Sequence, residues 1–174
     1  LHIEQGPILE KTGTDVGLVE TVVGIEQWEI EIQGRPDHAG TTPMNMRADA
    51  LVAAADVIKQ IYRLASQSEA GTVATVGKLQ VSPGAGNIVP GKAIFTVDIR
   101  SDNATEIRHI SEAVKGFLSS LTEEYPGIST RMAPVLSIEP TPLSSAILKV
   151  LEEEAGIGGI TSRRMRSGAG HDAM

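Results

Sequence analysis

The chain has 174 residues, 41% of them apolar, with 15 basic and 22 acidic side chains, a net charge of −7, four histidines and no cysteine. That balance supports a buried core but offers no Lys/Arg stripe with interleaved aromatics to follow a phosphate backbone, so nucleic acid is not an expected partner. No apolar run approaches the roughly 18 residues of a membrane span, and without cysteine any metal would rest on imidazole and carboxylate, a donor set suited to zinc, manganese, cobalt or nickel.

The chain opens on Leu1-His2-Ile3-Glu4-Gln5-Gly6-Pro7. In an extended segment His2 and Glu4 stand at alternate positions ahead of the break at Gly6-Pro7. There is no initiator Met and the first residue already lies inside this motif, so an N-terminal portion is expected outside the chain. Residues 16–34 read as strand, most clearly in Gln27-Trp28-Glu29-Ile30-Glu31-Ile32-Gln33, where polar and apolar side chains alternate with the period of a sheet that has one wet face. After a loop carrying His38, the pattern predicts a helix over 43–66, with Thr42 as cap and Pro43 in the first helical position. Its apolar stripe is Ala48, Leu51, Val52, Ala55, Ile58, Ile61, Tyr62 and Ala65.

Strands are predicted at 72–81 and 92–100, separated by a Gly- and Pro-rich loop that holds Asn87. In the second strand Ala93, Phe95, Val97 and Ile99 share one face and Thr96, Asp98 and Arg100 the other. Asn103 followed by Glu106 makes a capping box, Ile107, Ile110, Val114, Phe117, Leu118 and Leu121 give a second amphipathic helix, and a last strand is predicted at 128–138. The order β-α-β-β-α-β is that of a ferredoxin-like α+β unit, a four-stranded antiparallel sheet with both helices on one face. Residues 15–136 are expected to close as that unit, inserted into a second domain represented by 1–14 and 137–174, the latter with a helix near 142–155 and a strand leading into Ser167-Gly168-Ala169-Gly170-His171-Asp172.

Each chemistry-bearing residue has a bland reading beside its functional one. His109, on the second helix with no acidic or glycine-rich surroundings, is set aside as structural. His171 follows small residues that let backbone approach a metal or substrate closely, or it is a surface residue on a glycine turn. His38 sits beside a helix start, where an oxyanion is stabilised, or it is a loop residue. Asn87, inside a loop of glycines and prolines, is on the bland reading a turn residue tolerant of positive φ. Arg100 is a bidentate fork for a carboxylate or the partner of Asp98 in a sheet-face ion pair.

Taken in order, the blocks Leu1-His2-Ile3-Glu4-Gln5-Gly6-Pro7, His38-Ala39-Gly40-Thr41-Thr42-Pro43-Met44, Gly86-Asn87-Ile88-Val89-Pro90-Gly91, Asp98-Ile99-Arg100 and Ser167-Gly168-Ala169-Gly170-His171-Asp172 resemble the M20 metallopeptidase-type amidohydrolases. The nearest group is that of N-carbamoyl-L-amino-acid hydrolase, allantoate amidohydrolase and β-ureidopropionase. The resemblance implies a two-metal catalytic domain with an inserted lid and dimerisation domain, and a homodimer.

It implies that His2 and His171 each bind one of two divalent ions (Mn, Zn, Ni or Co). His38 would stabilise the oxyanion, often across the dimer, while Gln5, Asn87, Arg100 and the backbone at Gly170 hold a small carbamoyl or ureido acid, Arg100 on its carboxylate. The implied reaction is hydrolysis of a linear amide or ureido C–N bond; the absence of cysteine fits a cytoplasmic protein. The family's upstream histidine, bridging aspartate and glutamate pair have no place in this chain, so the isolated chain is expected to be inactive. Two alternatives stand beside this: an aminoacylase or dipeptidase of the wider M20 group, and a stand-alone dimerisation or binding module.

Overall fold

The computed structural model describes residues 1–170. In chain order the elements are α1 (Ile8–Thr12), β1 (Val16–Val22), β2 (Gly24–Gln33), β3 (Asp37–His38), a 3-10 turn (Met44–Met46), α2 (Ala50–Gln67), β4 (Val73–Ser82), β5 (Ile88–Val89), β6 (Lys92–Ser101), α3 (Ala104–Glu124), β7 (Ser129–Ile138), β8 (Thr141–Pro142), α4 (Ser145–Ile157) and β9 (Ser162–Ser167).

The four long strands β2, β4, β6 and β7 form one sheet in the order β4-β6-β2-β7, antiparallel at every pairing. Period-2 alternation decides which face is dry. Trp28, Ile30 and Ile32 of β2 and Ala93, Phe95, Val97 and Ile99 of β6 are buried in one cluster with Ala53, Ala54, Val57 and Ile61 of α2 and Ile107, Ile110, Val114, Leu118 and Leu121 of α3. Both helices therefore cover the same face, as the ferredoxin-like reading expects. Each fully buried large side chain contributes about 1.5–3 kcal/mol from burial, and Phe95, wholly enclosed, is the largest of them. The opposite face carries Gln27, Glu29, Glu31, Thr96, Asp98 and Arg100, all partly exposed.

Two local expectations are corrected. The strand over 16–34 is broken at Val23. Its first half, β1, pairs in parallel with β9 and antiparallel with β8, in a three-stranded sheet of its own. Alternation cannot reveal this, because both halves have one apolar face and differ only in partner. Gly24 permits the crossing: a Cβ there would lie 2.7 Å from Pro140 Cδ and 2.9 Å from the Ile138 carbonyl oxygen.

The helix expected over 43–66 begins only at Ala50, capped by Asp49, whose Oδ1 accepts from the Leu51 and Val52 N–H groups at 3.0 and 3.2 Å. The residues before it are claimed by tertiary contacts. Ala48 bridges to Arg35, with the Arg35 N–H donating to the Ala48 carbonyl at 2.9 Å, and Gly34 lets that backbone approach, since a Cβ there would sit 2.1 Å from the same oxygen. The other helices start close to expectation. Asn103 Oδ1 accepts from Thr105 N–H at 2.9 Å at the head of α3, and Ser144 Oγ caps α4 through Ile147 N–H at 3.4 Å.

Candidate active-site elements

Two groups of the expected residues come together. The first is built from β3 and β5, which pair antiparallel with His38 opposite Ile88, while the Ala39 N–H donates to the Asn87 carbonyl at 2.9 Å. His38 and Asn87, far apart in sequence, thus lie on neighbouring exposed loops. The His38 Nδ1 accepts from the Gly40 backbone N–H at 3.1 Å. A backbone N–H can only donate, so in the neutral ring the proton resides on Nε2, and His38 presents an N–H to solvent.

Two arginines hold this tip from behind. Arg47 donates from Nη2 to the Ala39 carbonyl at 2.7 Å and from Nε to the Thr42 carbonyl at 3.0 Å. Arg35 pairs with Asp37 at 2.8 Å and donates to the Met46 carbonyl at 2.7 Å. Sequence reasoning passed over both. Arg47 carries a signal all the same: a cation just ahead of a helix N-terminus opposes the helix dipole, so its presence there points to another engagement.

The second group lies at the far end of β6. Arg100 donates from Nε and Nη2 to the two carboxylate oxygens of Asp98 at 2.7 and 3.0 Å, and from Nη1 to the Gly168 carbonyl at 2.7 Å. Gln27, opposite Asp98 in the β2/β6 register, donates to Asp98 Oδ2 at 2.7 Å. Hydrogen bonding from Arg100 holds the Asp98 carboxyl below its ordinary pKa against the opposing effect of burial, with Gln27 adding to the lowering. The same bond raises the guanidinium's pKa, so the cation is secure. The ion pair anticipated as the bland reading of Arg100 is thus present, and it also reaches the glycine loop that contains Gly170.

At the N-terminus, His2 is exposed and its Nδ1 lies 2.6 Å from the Ile3 carbonyl oxygen. That oxygen accepts, so Nδ1 is the donor in this contact. The Glu4 carboxylate accepts from the Ile8 and Leu9 N–H groups, each at 2.8 Å, and so caps α1. Gln5 takes a left-handed backbone with φ of 55°, a strained choice for a residue with a side chain. His171 lies outside the described residues, and Gly170, the last of them, is exposed. Among the described residues no group of three or more His, Asp or Glu side chains is placed to hold a metal ion, so the residues in view do not by themselves make a metal centre.

A model of the peptidase dimerisation domain of the M20 group matches residues 21–126. The chain belongs to this family. Over 174 residues, all of this M20 chain, it is 39% identical to an N-carbamoyl-L-amino-acid amidohydrolase from Paenarthrobacter aurescens, and 34% identical to an allantoate amidohydrolase from Escherichia coli K12. Among solved structures, an amidase of the hydantoinase/carbamoylase family from Burkholderia multivorans superposes with a TM-score of 0.94 at 34% identity over 99% of the chain. In each case the M20 chain spans 42% of the relative's length.

Proposed function

We propose that this chain is the lid and dimerisation part, with flanking pieces of the catalytic domain, of a cytoplasmic, metal-dependent amidohydrolase that cleaves a linear amide or ureido C–N bond in a small acid of the N-carbamoyl amino acid or allantoate type. The relatives that match the whole chain carry those activities in their names, and no helix among the described residues is long and apolar enough to cross a membrane. The sequence pattern places the inserted unit at residues 15–136; we draw its first edge at Val23, where the chain leaves the β1/β9 sheet for the β2/β6 sheet.

The observation that carries the reading is the separation of the two residue groups along β6. His38 and Asn87 hang beyond its Lys92 end and Arg100 closes the other, and the extended strand between Lys92 and Arg100 runs about 26 Å. One small acid cannot touch both ends. The two groups meet on one substrate only if each site takes Arg100 from one protomer and His38 with Asn87 from its partner, which makes the homodimer part of the chemistry.

In this reading Arg100 binds the substrate carboxylate through paired N–H groups. Gln5 and the backbone at Gly170 line the same substrate, and the Nε2–H of His38 donates to the oxygen that becomes negative as water adds to the scissile carbonyl. His2 and His171 would be among the residues that hold the divalent ions, which would supply an activated water when bound.

A mixing experiment tests the arrangement. His38→Ala and Arg100→Ala full-length proteins, each strongly impaired alone, are co-refolded and assayed at substrate below the Arg100→Ala KM; shared sites regenerate about a quarter of the wild-type rate, because half the dimers are mixed and each holds one intact site. No recovery would refute sharing between protomers. Ammonia release from N-carbamoyl amino acids or allantoate that persists in EDTA would refute the metal-dependent activity itself.

A further inference from the structure

The guanidinium of Arg100 has five N–H donors in a fixed fork, and three are already spent: Nε and one Nη2 hydrogen on Asp98, one Nη1 hydrogen on the Gly168 carbonyl. What is left is one N–H on each terminal nitrogen, the number that a bidentate carboxylate takes. Arg100 therefore engages Asp98 side-on, through Nε and Nη2. Asp98 is itself held from a second strand, because Gln27 stands opposite it in the register and donates to Oδ2 at 2.7 Å.

Asp98 and Arg100 are two residues apart on one strand and so share the open face of the sheet; neither is more than about a third exposed, with side-chain exposures of 27% and 33%. The pair also cancels its own charge. An arginine so neutralised attracts anions weakly from a distance and selects them by donor geometry at contact.

We infer that Asp98, steadied by Gln27, is a positioning residue for carboxylate recognition: it locks the Arg100 fork so that its remaining terminal N–H pair faces the substrate's carboxylate beside the Gly168 carbonyl. The inference rests on the reading of Arg100 as the carboxylate anchor. It adds that selectivity for an acid over its neutral analogue depends on a residue that touches no substrate. Without Asp98 the long side chain regains its rotamers, and the substrate must order it at its own expense in binding energy.

The test uses the full-length enzyme with metal supplied and two substrates, the acid and the same molecule with its carboxylate converted to a primary amide. Asp98→Ala is expected to raise KM for the acid about tenfold, the loss of one charge-assisted contact, with kcat within about twofold and KM for the amide unchanged. Gln27→Ala leaves the ion pair in place and is expected to raise the acid's KM about threefold in the same selective way, so the inference stays testable should Asp98→Ala fold poorly. An Asp98→Ala or Gln27→Ala effect that falls equally on acid and amide, or on neither, overturns it. Arg100→Ala separates the two levels. If that variant loses acid-over-amide preference while the Asp98 and Gln27 variants keep it, only the positioning role fails; if it keeps the preference, the carboxylate anchor fails and the positioning role with it.

Discussion

Arg166, on the strand that leads into the glycine loop, donates from Nη1 to Asp102 at the foot of α3 at 2.9 Å, and the same nitrogen donates to the Ala70 carbonyl. β9 belongs to the three-stranded sheet and α3 to the four-stranded unit, so this arginine ties one to the other. Gly71 beside it has a φ of 94°, which favours glycine, and a Cβ there would lie 1.8 Å from Arg166 Nη1 and displace the guanidinium. The pair is partly exposed, which limits its value to about 1 kcal/mol. Arg166→Ala is expected to lower the melting temperature by about 3 °C in differential scanning calorimetry; a variant that melts with wild type would show that the tie contributes nothing.

The start of α2 offers a direct comparison. Asp49 accepts two backbone N–H groups there, whereas Thr42, the cap expected from sequence, stands ahead of the 3-10 turn. Asp49→Ala is expected to cost about 1 kcal/mol in urea unfolding and Thr42→Ala no more than about half that. The reverse order would return the cap to Thr42.

His38 should show the tautomer that its contact with Gly40 imposes. In ¹⁵N NMR at pH 8 its ring is expected to carry hydrogen on Nε2 and a lone pair on Nδ1. Gly40→Ala brings a Cβ to 3.2 Å from His38 Cε1, tight enough to shift the ring by a few tenths of an ångström. In the full-length enzyme it is expected to lower kcat about tenfold, less than the 10²-fold or more expected of His38→Ala as loss of an oxyanion donor. Equal activity of Gly40→Ala and wild type would count against the contact's importance.

The Asp98 ion pair sets a pH dependence. Its carboxyl is held below the ordinary value of 3.8, chiefly by the hydrogen bond from Arg100, so on acidification the unfolded chain binds the proton first and stability falls. The contribution is complete above pH 3.8 and is lost as pH drops through the lower, folded-state value. Asp98→Asn is expected to be less stable than wild type at pH 7, with the gap in urea midpoints closing below pH 3.8. A gap that stays constant with pH would assign the loss to packing instead of charge.

Periodicity and punctuation alone determine a good deal of this protein. The alternation through Trp28, Ile30 and Ile32 and through Phe95, Val97 and Ile99, with an apolar helical stripe after each, specifies a four-stranded sheet covered on one face, because burial acts on spacing that is written locally. The same spacing put Asp98 and Arg100 on one face, and the ordered motif blocks pointed to the family to which the chain belongs.

Partnership needed the tertiary structure. Nothing local in Val16–Val22 says that β1 pairs with β9 and not with β6; that follows from which edges are left open once the chain has closed. Nothing near Pro43 says that Ala48 will bridge to Arg35 and hold off the helix until Asp49. The meeting of His38 with Asn87 and of Arg100 with Gly168 depends likewise on hydrogen bonds between segments far apart in sequence. Local propensity cannot encode such pairings, since each backbone group is satisfied by whichever partner the assembled fold brings within reach.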